Sequence, residues 1–391
     1  MIAALALVVL VGFSAHAAEI PIEARPGERV ILKVEAKRKD GTYRTLRMIL
    51  DTGAKSCVVD AASASDIVTG MFKLLEATGF SGRGRRALQR TLRELRVGEA
   101  SQTSVPALVM DLSERNKWQD EPVDGLLGMS FLEGRRFLVD PHRACLVWNG
   151  SFAPSRSIPL KAHQNYFYLP VFVAGNKVEA LMDTAASGTL YVGHLPRGLA
   201  FLADCEMGSG IDGFVRLGKT RADLKVFGEN FARRPIWIGG SEAVLGASFL
   251  LAGPTQFDLK EHVIQVPMDA QGKLMRAPSV PDEVAFPICW NRKGRLPFLE
   301  VAPMPTCHRW YLAGFRAGDR VLNVGNASDL TLARINSLIR DGQAFDWSLQ
   351  RGKQALVVKN PREDRRRDRL EEAESFSLPF PPATGATPSV H

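Results

Sequence analysis

The chain contains the same pattern twice, and that repeat restricts its fold more than any other feature. Leu126-Leu127-Gly128-Met129-Ser130-Phe131-Leu132 returns as Val244-Leu245-Gly246-Ala247-Ser248-Phe249-Leu250, at an offset of 118 residues that also carries Asp140 onto Asp258 without a gap. Upstream, Met48-Ile49-Leu50-Asp51-Thr52-Gly53-Ala54 returns as Ala180-Leu181-Met182-Asp183-Thr184-Ala185-Ala186, at an offset of 132. Both copies open alike. Residues 30–34 read as a strand, Asp40-Gly41 as a turn, and 46–50 as a return strand ending on Asp51; Tyr166–Val173, Gly175-Asn176 and 178–182 repeat the scheme before Asp183. Short strands and Gly-rich turns continue through each copy. The sequence therefore predicts a mainly β fold with two homologous lobes, 18–150 and 151–270, each carrying one or two short helices.

An acid at the end of an apolar strand is costly to bury unless it is hydrogen-bonded. Two such acids, one per lobe, can meet across a pseudo-twofold axis and share one proton, because close carboxylates do not both ionise. The ionised member takes a proton from water while the protonated member donates to a peptide carbonyl. The Thr after each Asp is placed to cross-link the two loops, and the Gly that follows permits a tight turn.

On these residues the chain resembles a known family. Leu50-Asp51-Thr52-Gly53-Ala54 with Leu126-Leu127-Gly128 resembles the retropepsin signature, and the duplicated form resembles a pepsin-like bilobal aspartic peptidase, over roughly residues 25–268. The resemblance implies Asp51 and Asp183 as the catalytic dyad, supported by Thr52, Gly53, Thr184 and Ala185. It implies Leu127, Gly128, Leu245 and Gly246 as packing elements behind the catalytic loops. It also implies hairpin flaps over a cleft, for which Gly79, Phe80, Ser81 and Gly82 in the first copy, and Gly208 and Gly210 in the second, are the candidates. The expected substrate is a peptide or protein, and no cofactor or metal is required.

Two departures bear on activity. Ala185 stands where the family has Gly; Ala accepts fewer backbone conformations and brings a methyl group towards the substrate side. The alternative reading is accordingly a catalytically impaired bilobal scaffold that binds peptides or proteins. Ala54 and Ala186 follow the triplets, where a hydroxyl would otherwise stabilise the ionised carboxylates. Their presence predicts a dyad that titrates high and works from mildly acid to near-neutral pH.

Other nucleophile and metal patterns are weaker. Gly128-Met129-Ser130 and Gly246-Ala247-Ser248 lack the second Gly of a nucleophile elbow. The seven histidines show no metal-ligand spacing and read as surface residues, and Cys57, Cys145, Cys205, Cys289 and Cys307 are scattered, with Cys289–Cys307 as the pair to test first.

Residues 271–284 read as a linker, and 285–360 as a small α+β module with a helix at 330–340. Ala313-Gly314-Phe315-Arg316-Ala317-Gly318-Asp319 within it resembles a PDZ domain of the rearranged bacterial type. That resemblance implies a C-terminal peptide as ligand, with Gly294, Leu296 and Phe298 as the peptide-loop candidates. A docking or lid domain that binds nothing free is the competing reading.

The apolar run at 2–13, followed by Ala15-His16-Ala17, reads as a signal peptide over 1–17, which predicts an exported, periplasmic or extracellular protein without stable membrane insertion. The net charge of +8 draws on Arg-rich stretches at 83–96 and 362–369, but no groove-reading motif accompanies them and no nucleic-acid partner is expected. Residues 361–391 read as a disordered tail.

Overall fold

The computed structural model describes residues 18–359 apart from 81, 202, 211–212, 275–286, 295, 305, 307 and 341–344. Residues 1–17, read above as a signal peptide, Ser81, most of the linker, Cys307 and the tail lie outside the described residues. Among those described, no helix is long and apolar enough to cross a membrane.

Alternation of apolar and polar residues sets the first lobe. In Ile31–Lys37 the side chains of Val34 and Ala36 are buried while Lys33 and Glu35 face out. This strand pairs antiparallel with Tyr43–Leu50, in register from Ile31 opposite Ile49 to Lys37 opposite Tyr43. The second lobe repeats the hairpin with Tyr166–Val173 against Asn176–Met182. Its turn is Ala174-Gly175, both at positive φ (46° and 81°), one residue earlier than the sequence pattern indicates. Two consecutive left-handed residues match the twist of a two-residue hairpin.

The repeated Leu-Leu-Gly segments are threaded beside these hairpins. Gly125–Leu127 lies parallel to Tyr43–Leu50, with Leu50 opposite Leu127, and Val244–Leu245 lies parallel to Asn176–Met182, with Met182 opposite Leu245. The two lobes thus use one register.

The lobes do not end cleanly at residue 150. Glu19–Glu23, Cys145–Trp148 and Arg136–Asp140 from the first copy continue into Thr255–Asp258, Val263–Pro267 and Ser155–Pro159 from the second as one sheet. The seam is antiparallel, and Phe137 stacks on Phe257 across it at 5.0 Å. Leu50, Leu127, Met182 and Leu245 belong to a single buried cluster that spans both lobes. A core shared in this way fixes the two aspartate loops relative to each other.

The third module has its own sheet, in the order Ile288–Asn291, Phe298–Val301, Arg320–Val324, Asp346–Arg351, Gln354–Lys359. Its helix is Leu332–Arg340, with Leu332 and Ile335 buried. Trp310, Phe315 and Trp347 pack edge to face at its centre, 4.7 to 5.4 Å apart. Gly294 and Leu296 lie in the connection between the first two strands, where Leu296 is 77% exposed, and Phe298 begins the second strand.

This module docks on the first lobe through a short polar seam. Trp290 N–H donates to the Lys117 carbonyl at 2.8 Å, and the Arg292 guanidinium donates to the carbonyls of Gln119 and Asp120, each at 2.7 Å. The Asp120 carboxylate accepts from the backbone N–H groups of Leu332 (2.6 Å) and Ala333 (2.9 Å), and from Trp290 Nε1 at 3.0 Å. An acid at the positive end of a helix is favourable both as a cap and through the dipole.

Cys57, Cys145 and Cys289 are free buried thiols, and Cys307, the partner proposed for Cys289, lies outside the described residues. One expectation is corrected here. His308 is buried rather than on the surface, and its Nδ1 accepts the Trp310 N–H at the start of helix Arg309–Leu312. The polar ring fits inside because it caps backbone that the apolar cluster around Trp310 has buried.

Candidate active site

Each aspartate follows the last residue of an apolar strand, and its own backbone continues the parallel ladder. Asp51 N–H donates to the Leu127 carbonyl at 3.0 Å, and Asp183 N–H to the Leu245 carbonyl at 3.1 Å. The main chain of each acid is thereby fixed by the Leu-Leu-Gly segment behind it, and Leu127 and Leu245 are fully buried. Gly128 and Gly246 are required where they stand. A Cβ on Gly128 would lie 2.4 Å from the Ser56 carbonyl oxygen, and one on Gly246 would lie 2.5 Å from that of Gly188.

The two threonines interlock the lobes. Thr52 N–H donates to Thr184 Oγ1 (3.1 Å) while Thr184 N–H donates to Thr52 Oγ1 (3.2 Å). Thr52 Oγ1 then donates to the Met182 carbonyl and Thr184 Oγ1 to the Leu50 carbonyl, both at 2.8 Å. Both side chains are fully buried. Four reciprocal bonds with no solvent competition hold the loops rigidly, since breaking one strands a buried partner at a cost of ~1–3 kcal/mol.

The carboxyl groups are held unequally. Asp51 Oδ1 accepts the Gly53 N–H at 3.0 Å. Asp183 Oδ1 accepts from both Ala185 (2.8 Å) and Ala186 (3.0 Å). The Asp183 carboxyl leans over Gly53, where an added Cβ would meet its Cγ at 2.5 Å. Ala185 on the other side is partly buried and packs against the apolar cluster that includes Ile49, Val58 and Leu126. Neither Gly53 nor Ala185 has a positive φ, so the conformational penalty expected for Ala185 does not arise.

Burial pushes the Asp51 carboxyl up to about 8, and the charge of Asp183 adds to the rise. Asp183 is also raised, again chiefly by burial, while its two backbone donors act in the opposite sense. Close, buried carboxyls do not both ionise, so the pair holds one proton between them.

Both acids open into a cleft of about 1290 Å³. The strands Val68–Thr78 and Gly84–Val97 form a hairpin whose tip closes with Gly82 N–H donating to the Gly79 carbonyl at 3.0 Å, and Gly82 is left-handed (φ 72°). Phe80 at this tip packs edge-on against Tyr191 of the second lobe at 5.0 Å and lies against Gly240, where a Cβ would meet its ring at 2.5 Å. The first flap candidate therefore roofs the cleft. Gly208 and Gly210 lie in the strand Ala203–Gly210, paired with Gly213–Val226. Among the described residues no cluster of His, Cys, Asp and Glu could hold a metal ion.

The cleft also presents Arg115 and Gln119, which sequence reasoning missed. The run Asp111-Leu112-Ser113-Glu114-Arg115-Asn116 has the composition of a solvated loop, and nothing in its spacing signals that it lines the cleft.

A two-lobed β protein in which each lobe delivers one aspartate from a Thr-interlocked loop has the architecture of an aspartic-type peptidase. Residues 34–131 match the family described as Aspartyl protease, a stretch that holds Asp51, Thr52, Gly53, Leu127 and Gly128. The chain is thus an enzyme of the aspartyl protease type, a hydrolase of peptide bonds. Among solved structures it is similar to the aspartic proteinase from Irpex lacteus, at 9% identity and a TM-score of 0.41, covering 64% of this chain and 96% of that one. No curated protein matches the sequence.

Proposed function

We propose that the protein is an exported aspartic endopeptidase that cuts peptide bonds with the Asp51–Asp183 dyad, and that its PDZ-like third module gates or recruits substrate. The reciprocal Thr52–Thr184 interlock carries the catalytic part of the reading, since it serves to hold two carboxyls face to face. A peptide lies in the cleft beneath Phe80, with its carbonyl between the acids. Ionised Asp183 takes a proton from water as the water oxygen bonds to the carbonyl carbon, and Asp51 gives its proton to the carbonyl oxygen. Collapse of the resulting gem-diol breaks the C–N bond, a proton passes to the amine, and the dyad is left with one proton as at the start. The gating role is supported by the seam at Asp120, which ties the third module's helix to the cleft wall. Export is proposed from the apolar leader alone.

The test is digestion of a denatured peptide library by the purified protein from pH 3 to 8, read by mass spectrometry. Asp51→Asn and Asp183→Asn should each abolish cleavage. Persistent cleavage by either variant rules out the dyad. A wild type that is silent, with cleavage appearing only when Ala185→Gly is made, would instead establish a scaffold that binds without cutting.

A further inference from the structure

The cleft holds a cation that takes no direct part in the proposed hydrolysis, although its charge favours ionisation of both Asp51 and Asp183. Arg115 sits in the short helix Ser113–Asn116, on the wall of the cavity that both aspartates enter. Its Nε and Nη2 are buried, and neither has a hydrogen-bond partner among the described residues. Two open donors on a buried guanidinium are costly to leave unpaired. Four residues on, the side-chain Nε2 of Gln119 lines the same cavity, also buried and also without a partner among the described residues. Arg29 borders the cavity too. Burial, and then the like charge of Arg29, lower the Arg115 guanidinium to about 10. The cavity wall also carries acids such as Glu28, Glu76 and Asp120, so it is the unpartnered donors of Arg115 and Gln119, and not the overall charge of the wall, that call for an anion.

The segment that carries these groups is not free to turn away. Asn116 exchanges two hydrogen bonds with the backbone of Val123, at 3.0 and 2.9 Å. Arg292 of the third module grips the carbonyls of Asn116, Gln119 and Asp120. The open donors are therefore built into the wall.

We infer that Arg115 and Gln119, with Arg29 adding charge, form a carboxylate subsite beside the dyad, so that the cleft prefers peptides with an acidic side chain or a free C-terminal carboxylate near the bond that is cut. A planar guanidinium takes a carboxylate through two parallel N–H bonds, which supplies orientation as well as charge. The words about cutting rest on the peptidase reading; the capture of a carboxylate does not.

The test uses the full chain and one fluorogenic peptide cut in the library screen. Glu and Gln are exchanged position by position, and the C-terminus is made free or amidated. The wild type should favour the carboxylate about ten-fold in kcat/KM at one position or at the terminus, and which of these responds identifies the source. Arg115→Met should bring the ratio near one, and Arg115→Glu should turn the preference towards Lys. If Arg115 only offset the charge of the dyad, Arg115→Met would alter the pH profile alike for every peptide and leave the ratio intact, which overturns the proposal. A wild-type ratio near one throughout also overturns it. Should Arg115→Met fail to fold, Arg29→Met is the second variant, with a drop of about three-fold in the ratio expected and an unchanged ratio counting against the subsite. If the wild type cuts nothing, the peptidase reading fails by itself. Calorimetric binding of the Glu and Gln peptides then decides the subsite, with equal affinities rejecting it.

Discussion

One methyl group distinguishes the two triplets, and its position explains why it is tolerated on one side only. A Cβ at Gly53 would run into the Asp183 carboxyl at 2.5 Å, whereas Ala185 packs against an apolar cluster on the other side. Gly53→Ala is expected to keep the fold and lower kcat by more than about 100-fold, because displacing a reacting carboxyl by an ångström forfeits alignment. Ala185→Gly is expected to change kcat/KM by less than about three-fold. Steady-state kinetics on one peptide checks both. The raised Asp51 carboxyl has a consequence for stability. Its folded pKa of about 8 lies above the ordinary 3.8, so between these pH values the folded protein holds a proton that the unfolded chain has released. Stability from this group is present in full below about pH 4 and is lost as the pH rises towards 8. Asp51→Asn has no such loss and should melt several degrees higher than wild type at pH 8, with the gap closing towards pH 4, as scanning calorimetry would show.

At the scale of elements, hairpins do most of the positioning. The strand pair Val68–Thr78 and Gly84–Val97 carries Phe80 across to Tyr191 and Gly240 of the other lobe, so one hairpin tip bridges both halves of the cleft. Removing the ring loosens that roof without touching the acids. Phe80→Ala is expected to raise KM about ten-fold with a smaller change in kcat, which separates a closing element from a catalytic one in a KM-against-kcat comparison. The second lobe's Gly208 and Gly210 share the glycine-rich composition but belong to a paired strand, Ala203–Gly210. Composition marked both segments alike. At Gly79-Phe80, Phe80 meets an aromatic partner on the far wall, and that partner comes from a distant part of the chain.

For the whole molecule, the shared sheet and the Asp120 seam govern how the parts act together. Asp120 is the single acceptor for Leu332 N–H, Ala333 N–H and Trp290 Nε1. Asp120→Ala should weaken docking of the third module by about 1–3 kcal/mol while leaving both cores folded. The expected readouts are faster proteolysis between the peptidase lobes and the module, and a red shift of Trp290 emission. Unchanged proteolysis and emission would show that the seam contributes little to docking.

The amino-acid sequence by itself determined the duplication, the two apolar strands ending on Asp51 and Asp183, the Leu-Leu-Gly segments behind them, and the separate third module. Each of these rests on local periodicity or on a residue type that backbone geometry demands, as Gly128 and Gly246 illustrate. Folding in three dimensions was needed to bury the two carboxyls as one pair, to leave Ala185 without backbone strain, and to bring Arg115 and Gln119 to the dyad's cleft. Those outcomes depend on burial and on groups brought together from 64 or more residues apart along the chain, as Arg115 is from Asp51, and pattern along a chain carries no record of such distances.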